Sequence, residues 1–550
     1  MRGLQFSALG LLAAIGCTSC SSSGGSDGPT PTPASITVTP NVGTLALGGT
    51  LGLAAIVRDT DGNPVAGQSV TWTSNNTAVA TVSGQGSVTA LAAGNALVIA
   101  TAGALSDTAT ITVSAVAGPV VAVTLGATSQ TWHGWEAHAQ SGQVDAKTTF
   151  AQYQGPLLDS VANDLGITRV RLEVRYGAES PTDFFSQWLN GQITEAAWKP
   201  TRYASVNDDG DPNHINPAGF QWSEVDNTVT KIVNPLRQRL QAQGKSLYIN
   251  LCYVDFAASA FEHKGNPAEY AELMLALFQH LQATYGWTPD AVEMILEPDN
   301  SGAWSAAQIA AAMVAAAARL QQAGFTPQWI APSTVDMGHA PTYFDAMMGV
   351  SGVPALLDEI SYHRYSGVSA GNLQAIAARG VAGGYRTSML EHIGADVDEL
   401  YDDLTIGRVS AWQQFTIAFP TASDNGGALY MIDTTQVPPR VNIGSRTKLL
   451  RQYMRYIQPG DVRVGASSNL AALKPVAFKR PNGKAVVVVR ATGSGTFSVI
   501  GLPPGTYGIE YTTTGTGAVY KATHADATIT AGAPLATSIP GPGVLTIFAR

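Results

Sequence analysis

The feature that most constrains the fold is an alternation of short apolar strands with helical stretches from residue 131 to residue 458. Helical spacing is clearest in residues 268–286, where apolar residues recur with a 3.6 period, and in the Ala- and Leu-rich residues 305–324. Eight strands alternating with helices predict a (β/α)₈ (TIM) barrel with insertions. A doubly wound sheet is the alternative, but no glycine-rich phosphate loop follows any strand. The eight strand segments are TWHGWEA, ITRVRLEVRY, SLYINLCYVDF, AVEMILEPDN, QWIAPSTV, LDEISYHRY, YRTSMLEHIG and ALYMIDTT.

β-rich segments flank the barrel on both sides. Residues 35–115 contain seven short alternating segments separated by Gly, Asn and Asp turns, a pattern typical of a β-sandwich. Residues 118–130 predict one or two further strands. Alternation returns in residues 459–550, where VAFKRPNGKAVVVVRA predicts a hairpin with an Asn-Gly turn. We therefore predict a multidomain chain with an N-terminal all-β domain, a barrel and a C-terminal β-domain.

The first residues predict export. Arg2 precedes an apolar stretch too short to span a bilayer, and the sequence AIGC ending at Cys17 resembles a bacterial lipobox with Cys17 as the acylated residue. An ordinary secretory signal cleaved nearby is the alternative. Residues 18–34 form a Ser/Gly- and Pro/Thr-rich tether. A lipoprotein signal of residues 1–17 would leave the chain anchored by lipid to the outer membrane or cell surface, with no other membrane contact.

Composition excludes several classes of partner and site. The chain has 40 acidic and 31 basic residues, a net charge of −9 and no basic block, which argues against nucleic acid as the main partner. Its three cysteines cannot build a disulfide scaffold or a thiolate metal site. We expect a monomer stabilised by apolar cores, with no cofactor and no metal.

Two glutamates follow predicted strands four and seven. Glu297 lies in ILEPDN and Glu391 in RTSMLEHIG, 94 residues apart, where three βα units of ~30 residues predict roughly 90. The carboxyl ends of barrel strands converge on one face, where active sites lie. Two carboxylates that face each other there can divide glycosidic cleavage, because one protonates the leaving oxygen while the other attacks the anomeric carbon.

These segments carry a resemblance to glycoside hydrolases. Glutamates ending strands four and seven are the pattern of clan A, and the chain most resembles family 30. AVTLGATSQTWHGWEAHA resembles that family's approach to the barrel, NDDGDPNHINPAGFQWSEVD its insertion after strand two, and YMRYIQPGDVRVGAS its last helix and exit. The resemblance covers residues 120–550. It implies that residues 118–130 join residues 459–550 in one β-sandwich side domain.

A second resemblance concerns the N-terminal domain. VTWTSNNTAVATVS and GSVTALAAGNALVIATAG, both within residues 35–115, resemble bacterial immunoglobulin-like repeats of the Big-2 type. Such modules act as spacers or adhesive units. Because no cluster of aromatic residues marks a sugar-binding face, we expect a spacer.

The family 30 resemblance implies that Glu297 is the general acid/base and Glu391 the nucleophile of a retaining, double-displacement hydrolase. The nucleophile must stay ionised, so cations and hydrogen-bond donors should surround it. In the second strand, period two places the charged residues on one face, and Arg171 is our candidate for holding Glu391. The alternative is an internal ion network with Glu173 that serves only structure.

Further site residues are predicted from the strand ends and the insertion. The resemblance makes His363 and Tyr365 active-site residues, with Tyr365 donating a hydrogen bond to Glu391; a histidine packed at the barrel rim is the alternative. Trp135 would line the sugar site or cap the barrel. Trp188 is the substrate-contact candidate in the aromatic insertion, where most aromatic residues should form a local core. The Asx-rich stretch Asn207, Asp208, Asp209, Asp211 and Asn213 fits Asx turns better than a calcium loop, because its spacing misses the EF-hand pattern.

One residue departs from the clan pattern. Clan A enzymes place Asn immediately before the acid/base to bind the sugar's 2-hydroxyl, whereas this chain has Leu296. Asn300 and His363 are our candidates for replacing that contact and binding substrate. A sugar modified at carbon 2 and a weak or inactive enzyme are the alternatives.

Together these features predict a secreted, lipid-anchored retaining glycoside hydrolase acting on a β-linked polysaccharide or oligosaccharide outside the cell. The alternative is a noncatalytic surface glycan-binding lipoprotein or an adhesin.

Overall fold

The computed structural model describes residues 31–300 and 303–550, which divide into two compact units between Ala115 and Val116. The predicted signal, Cys17 and most of the tether lie outside the described residues. Within the described ranges, no helix is long and apolar enough to cross a bilayer.

The N-terminal unit is an all-β domain of nine strands, which confirms the predicted immunoglobulin-like class. β1 pairs with β4, and the other strands form two sheets with the orders β2-β9-β8-β5 and β3-β7-β6. The alternating sequence of β9 buries Ala109, Ile111 and Val113 on one face. The strands are β1 (Ser35–Thr39), β2 (Val42–Ala46), β3 (Thr50–Gly52), β4 (Ala54–Arg58), β5 (Thr71–Ser74), β6 (Ala80–Val82), β7 (Ser87–Ala90), β8 (Gly94–Ala102) and β9 (Leu105–Ser114).

The second unit is built around a closed parallel barrel, as predicted. Eight strands pair in chain order, and the last pairs with the first to close the barrel. The strand before the barrel is β10 (Val120–Thr131), and the barrel strands are β11 (Gly134–His138), β12 (Arg169–Arg175), β13 (Tyr248–Val254), β14 (Ala291–Glu293), β15 (Gln328–Asp336), β16 (Leu357–Ser366), β17 (Arg386–Glu391) and β18 (Ala411–Phe419).

The eighth barrel strand differs from the one predicted. The segment ALYMIDTT forms β19 (Ala428–Asp433), which pairs with the outer part of β18 and with β20 (Arg440–Ile443) rather than closing the barrel. The closing strand β18 lacks a continuous apolar run because Gln413 and Gln414 interrupt it, and both are buried. Buried parallel strands usually read as unbroken apolar segments, so this strand gave a weak signal.

Two long helices match the predicted ones and carry clear end signals. The helix over residues 267–285 begins with Pro267 in its first turn and ends at Gly286, whose φ of 74° is the left-handed conformation that suits glycine. The next helix is capped by Ser305 and Gln308 in a capping box. The helices are α1 (Phe150–Ser160), α2 (Phe184–Leu189), α3 (Glu195–Trp198), α4 (Ser223–Thr228), α5 (Asn234–Gln241), α6 (Pro267–Tyr285), α7 (Ala306–Gln322), α8 (His339–Met348), α9 (Val353–Leu356), α10 (Ala370–Gly383), α11 (Val397–Thr405) and α12 (Ser445–Met454).

The C-terminal strands and β10 form one nine-stranded sheet that folds around its own apolar core. β10 lies inside this sheet, antiparallel to the first C-terminal strand and parallel to the fourth. The opposite face of the sheet packs on the barrel, where Phe478 meets Trp132 edge-on with 6.4 Å between ring centroids. The strands are β21 (Val462–Ser468), β22 (Leu473–Lys479), β23 (Ala485–Ala491), β24 (Gly495–Ile500), β25 (Gly505–Thr513), β26 (Ala522–Ile529), β27 (Leu535–Ile539) and β28 (Gly543–Ala549), in the sheet order β26-β25-β28-β23-β22-β21-β10-β24-β27.

This arrangement predicts the outcome of two truncations. A chain lacking residues 18–115 should keep the thermal unfolding midpoint of the second unit, because that unit has its own core. A fragment of residues 131–458 should fail to fold cooperatively, because it loses the apolar face that Phe478 contributes to the barrel core. Thermal unfolding followed by circular dichroism measures both. A cooperative 131–458 fragment with an unchanged midpoint would contradict the prediction.

Candidate active site

The two glutamates meet at the carboxyl ends of the barrel strands. Glu391 is the last residue of β17, and Glu297 lies in the turn four residues after β14. One carboxylate oxygen from each, together with a ring nitrogen of His363, lies within 4.8 Å of the others. Both glutamates are more than nine-tenths buried yet line one cavity of about 440 Å³. The convergence expected from their chain spacing is therefore present.

The backbone at Glu297 adopts a conformation that is unusual for its residue type. Its φ of 53° lies in the left-handed region, and Ser333 on the neighbouring strand β15 has a φ of 54°. The Glu297 N–H donates to the Ser333 carbonyl over 3.1 Å, which ties the two residues together. Such residues cost of order 1–3 kcal/mol and persist where the surroundings fix them, often at functional sites.

His363 and Asn300 hold the Glu297 carboxylate. His363 Nδ1 lies 3.0 Å from Oε1, and Asn300 donates from Nδ2 to Oε2 over 2.8 Å. Burial raises the pKa of Glu297, but the hydrogen bonds from His363 and Asn300 outweigh it and keep the pKa below its ordinary value. The other ring nitrogen of His363, Nε2, has no hydrogen-bond partner among the described residues, so the proposed contact of Asn300 and His363 with a sugar 2-hydroxyl stays a prediction.

Glu391 has a stronger set of partners. Arg171 donates from Nη2 to Oε2 over 2.5 Å, and Tyr365 donates its hydroxyl to Oε1 over 2.8 Å. Burial and the Glu391 carboxylate raise the pKa of Tyr365, so its hydroxyl keeps its proton and remains a donor. The two partners fix the plane of the Glu391 carboxylate. Both contacts predicted for this residue are present.

Arg171 also belongs to an ion network, as the alternative proposed. Its Nη2 lies 3.4 Å from Oε1 of Glu173, which is paired with Arg175 at 2.5 Å and with His138 at 3.3 Å. Burial raises the pKa of Glu173, but His138, Arg175 and Arg171 together hold it well below its ordinary value. Arg171 therefore belongs to the ion network with Glu173 and also contacts Glu391, so the contacts expected from both interpretations are present.

The cavity has a polar side and an apolar side. Leu296 packs with Val254 beside the half-buried rings of Tyr203 and Phe256, so the wall next to Glu297 is apolar. The sequence singled out five of the lining residues as site residues: both glutamates, Arg171, Asn300 and Tyr365. The sequence did not identify the lining residues at strand ends that carry no motif. It also missed Phe415, because β18 was not predicted as a barrel strand. The full lining is His138, Gln140, Arg171, Glu173, Arg175, Tyr203, Val254, Phe256, Leu296, Glu297, Asn300, Val335, Tyr365, Glu391, Ile393 and Phe415.

Two tryptophans proposed to contact sugar lie elsewhere. Trp135 is fully buried, and its Nε1 donates to the Ile457 carbonyl over 2.9 Å. Trp188 stacks on Trp198 with 4.3 Å between ring centroids in the small core of the insertion. Neither ring lines the cavity, so we reassign both residues to packing. Both rings bury a large apolar surface in the protein. Sequence alone does not distinguish an aromatic ring that packs in a core from one that contacts a ligand.

The Asx-rich stretch forms turns, the arrangement favoured over a calcium loop. The Asn207 side chain accepts a hydrogen bond from the Asp209 N–H over 3.2 Å, Asp209 from the Asp211 N–H over 2.8 Å, and Asp211 from the Asn213 N–H over 3.0 Å. Side chains that accept from the backbone two residues on define Asx turns.

Comparison with known proteins agrees with this architecture. The family model described as Bacterial Ig-like domain (group 2) matches residues 34–113. No curated protein matches the chain. A GH30 endoxylanase from Clostridium papyrosolvens C71 is 18% identical with a TM-score of 0.55, covering 78% of this chain and 99% of its own. The catalytic domain of GH30 xylanase C from Talaromyces cellulolyticus is 16% identical with a TM-score of 0.56, covering 78% and 100%.

A third similar structure is an endo-β1,6-glucanase, 13% identical with a TM-score of 0.54, covering 81% of this chain and 97% of its own. At these identities the likeness establishes the fold. The chain is a (β/α)₈ barrel protein with a β-rich side domain, the fold that it shares with these structures. An immunoglobulin-like domain of the Big-2 type precedes the barrel.

Because Arg171 and Glu391 form a buried ion pair, replacing Arg171 should cause a large loss of stability. Arg171→Met should lower the free energy of unfolding by about 3–5 kcal/mol, because it leaves a buried carboxylate without its cation. Arg379→Met is the matched control. It removes a half-buried guanidinium paired with the exposed Asp345 at the surface and should cost at most about 1 kcal/mol. Urea denaturation measures both, and equal losses in the two variants would contradict the prediction.

Proposed function

We propose that this chain is a retaining glycoside hydrolase that cleaves β-glycosidic bonds of an extracellular polysaccharide or oligosaccharide. The observation that carries the proposal is the pair of carboxylates at the ends of the fourth and seventh barrel strands. One is held by a guanidinium and a phenol, the other by an imidazole and an amide, and both line a cavity of about 440 Å³. Different surroundings are what two carboxylates need in order to take different roles.

In the first step, Glu391 attacks the anomeric carbon and forms a glycosyl ester while the bond to the leaving oxygen breaks. Glu297 gives its proton to that oxygen, so the departing group leaves as an alcohol. Arg171 and Tyr365 orient the attacking carboxylate. In the second step, Glu297 takes a proton from water, which attacks the same carbon and releases Glu391. Two displacements at one carbon retain its configuration.

The carboxylate spacing supports retention. Oxygens of the two glutamates approach within 4.8 Å. Retaining enzymes place the two carboxyl groups ~5–5.5 Å apart, whereas inverting enzymes need ~6.5–9.5 Å to admit a water between base and sugar. The observed approach leaves little room for that water.

The similar structures support the substrate class. Two are described as GH30 xylanases and one as an endo-β1,6-glucanase, so each name refers to a polysaccharide. We propose a β-linked polysaccharide or its oligosaccharides for this chain. The lipobox-like sequence ending at Cys17 supports a lipid-anchored location at the cell surface.

The mechanism predicts different phenotypes for the two glutamates. Glu391→Ala should abolish turnover, because no covalent intermediate can form. Glu297→Ala should retain partial first-step activity on aryl β-glycosides with good leaving groups, which need little protonation, and azide should rescue it as a β-glycosyl azide. Release of 4-nitrophenol and the anomeric configuration of the product measure this. An inverted product from the unaltered enzyme would overturn the mechanism.

The surroundings of Glu297 predict a pH shift. His363 is the largest influence that lowers the pKa of Glu297, so His363→Ala should raise that pKa. Because the acid step needs protonated Glu297, the basic limb of the kcat/KM profile should move to higher pH. Asn300→Ala should produce a smaller shift in the same direction, and His524→Ala in the side domain should produce none. A limb that stays in place or moves to lower pH in His363→Ala would contradict the prediction.

A further inference from the structure

A second acidic cluster lies outside the cavity, where the insertion after β12 packs on α6. Asp208 from the insertion and Glu269 and Glu272 from α6 each bring one carboxylate oxygen within 4.8 Å of the others. The two glutamates are three residues apart on the helix and therefore share one face. We propose that these three side chains bind a hard divalent cation, with Ca²⁺ as the first candidate. The proposal does not depend on the glycosidase activity.

Two buried oxygens of the cluster point to a ligand. Glu272 is only 1% exposed, and its carboxyl group contacts that of Glu269. No amide, hydroxyl or cationic donor of the described residues reaches Oε2 of either glutamate, and both oxygens are buried. Leaving a buried carboxylate oxygen without a partner is costly, so proteins pair such oxygens or use them to coordinate metals.

The charges around the cluster leave an excess that a divalent cation would balance. The salt bridges of the described residues give it one cation, Arg319, whose Nη2 lies 3.4 Å from Oε1 of Glu272. Asn207 adds a neutral donor to Oε1 of Glu269 over 3.3 Å. Burial and the contact with Glu269 raise the pKa of Glu272 to about 9, so near neutral pH Glu272 holds a proton that a cation would displace. With that proton gone, three carboxylates against one guanidinium leave two negative charges. Ligands that are all oxygen favour Ca²⁺, Mg²⁺ or Mn²⁺ over softer metals.

The backbone of the insertion holds Asp208 in place for this role. Its N–H donates to Oε1 of Glu179 over 2.9 Å, and its Oδ2 accepts from the Asn216 N–H over 2.7 Å. Gly219 packs against it so closely that a Cβ there would lie 2.2 Å from the Cβ of Asp208. Both carboxylate oxygens of Asp208 retain lone pairs for a cation. Of the Asx-rich stretch, only Asp208 belongs to this cluster.

A cation here would tie the insertion to α6 across two elements of the chain. The insertion segment that carries Asp208 follows Tyr203, which lines the cavity. The sequence predicts no metal site. Glu269 and Glu272 lie far along the chain from the Asx-rich stretch, so sequence spacing does not bring them together with Asp208.

Calorimetry on the full chain tests the inference. The protein is stripped with a chelator, dialysed, and titrated with CaCl₂ and separately with MgCl₂, while its thermal unfolding midpoint is followed with each ion. We expect one saturable site and a midpoint that rises with Ca²⁺ concentration, because a ligand that binds only the folded state stabilises it. Mg²⁺ binding with the same dependence on these residues also supports the site.

Substitutions separate the site from general charge effects. Glu272→Gln, Glu269→Gln and Asp208→Asn should each weaken affinity by about tenfold or more, since the charge of the ligand set determines affinity. Asp211→Asn is the matched control. It removes a carboxylate from the same segment but keeps the side-chain oxygen of its Asx turn, and should bind as the unaltered protein does. Circular dichroism checks folding of each variant. No binding of either ion, binding that the three cluster variants leave unchanged, or an equal loss in Asp211→Asn would overturn the inference.

Discussion

The guanidinium of Arg171 is the interaction on which the site depends. It is fully buried inside the barrel and lies between Glu391 at 2.5 Å and Glu173 at 3.4 Å. Both carboxylates lie where burial disfavours the charged form, and the guanidinium between them offsets that cost. Arg169, two residues earlier on the same face of β12, pairs with Glu136 at 2.6 Å and Glu359 at 3.0 Å. The barrel interior is thus a set of compensated charges, and Glu391 is the member that reaches the cavity.

The chemistry that we propose for the two glutamates follows from the residues that contact each carboxylate. A guanidinium and a phenol hold Glu391, and these partners suit the nucleophile role that we propose for it. Glu297 is held by His363 and Asn300, groups that stabilise its charge without adding a permanent cation. The same residue has a left-handed backbone tied to Ser333, so its direction is set by the turn. We propose that these surroundings divide the roles, since the two side chains are chemically identical.

The side domain contributes to the barrel as well as to its own core. Its sheet buries one face internally and offers the other, with Phe478, to Trp132 just before the first barrel strand. β10 comes before the barrel in sequence and pairs with strands that follow it. This pairing joins the two ends of the second unit in one sheet, so neither end can separate from the unit without breaking strand pairing.

Local sequence patterns determined much of this protein. Period-two alternation in RVRLEVR places Arg171 on the interior face, because successive strand residues point to opposite sides. Chain spacing brings Glu297 and Glu391 to one end of the barrel, because parallel strands share a direction. Tertiary structure decided what local pattern cannot encode. Gln413 and Gln414 made the closing strand hard to recognise from sequence, because only the packed fold accommodates two successive buried polar residues. Only the packed fold buries Trp135 and Trp188. It also brings His363 within hydrogen-bond distance of Glu297, which is distant in the chain.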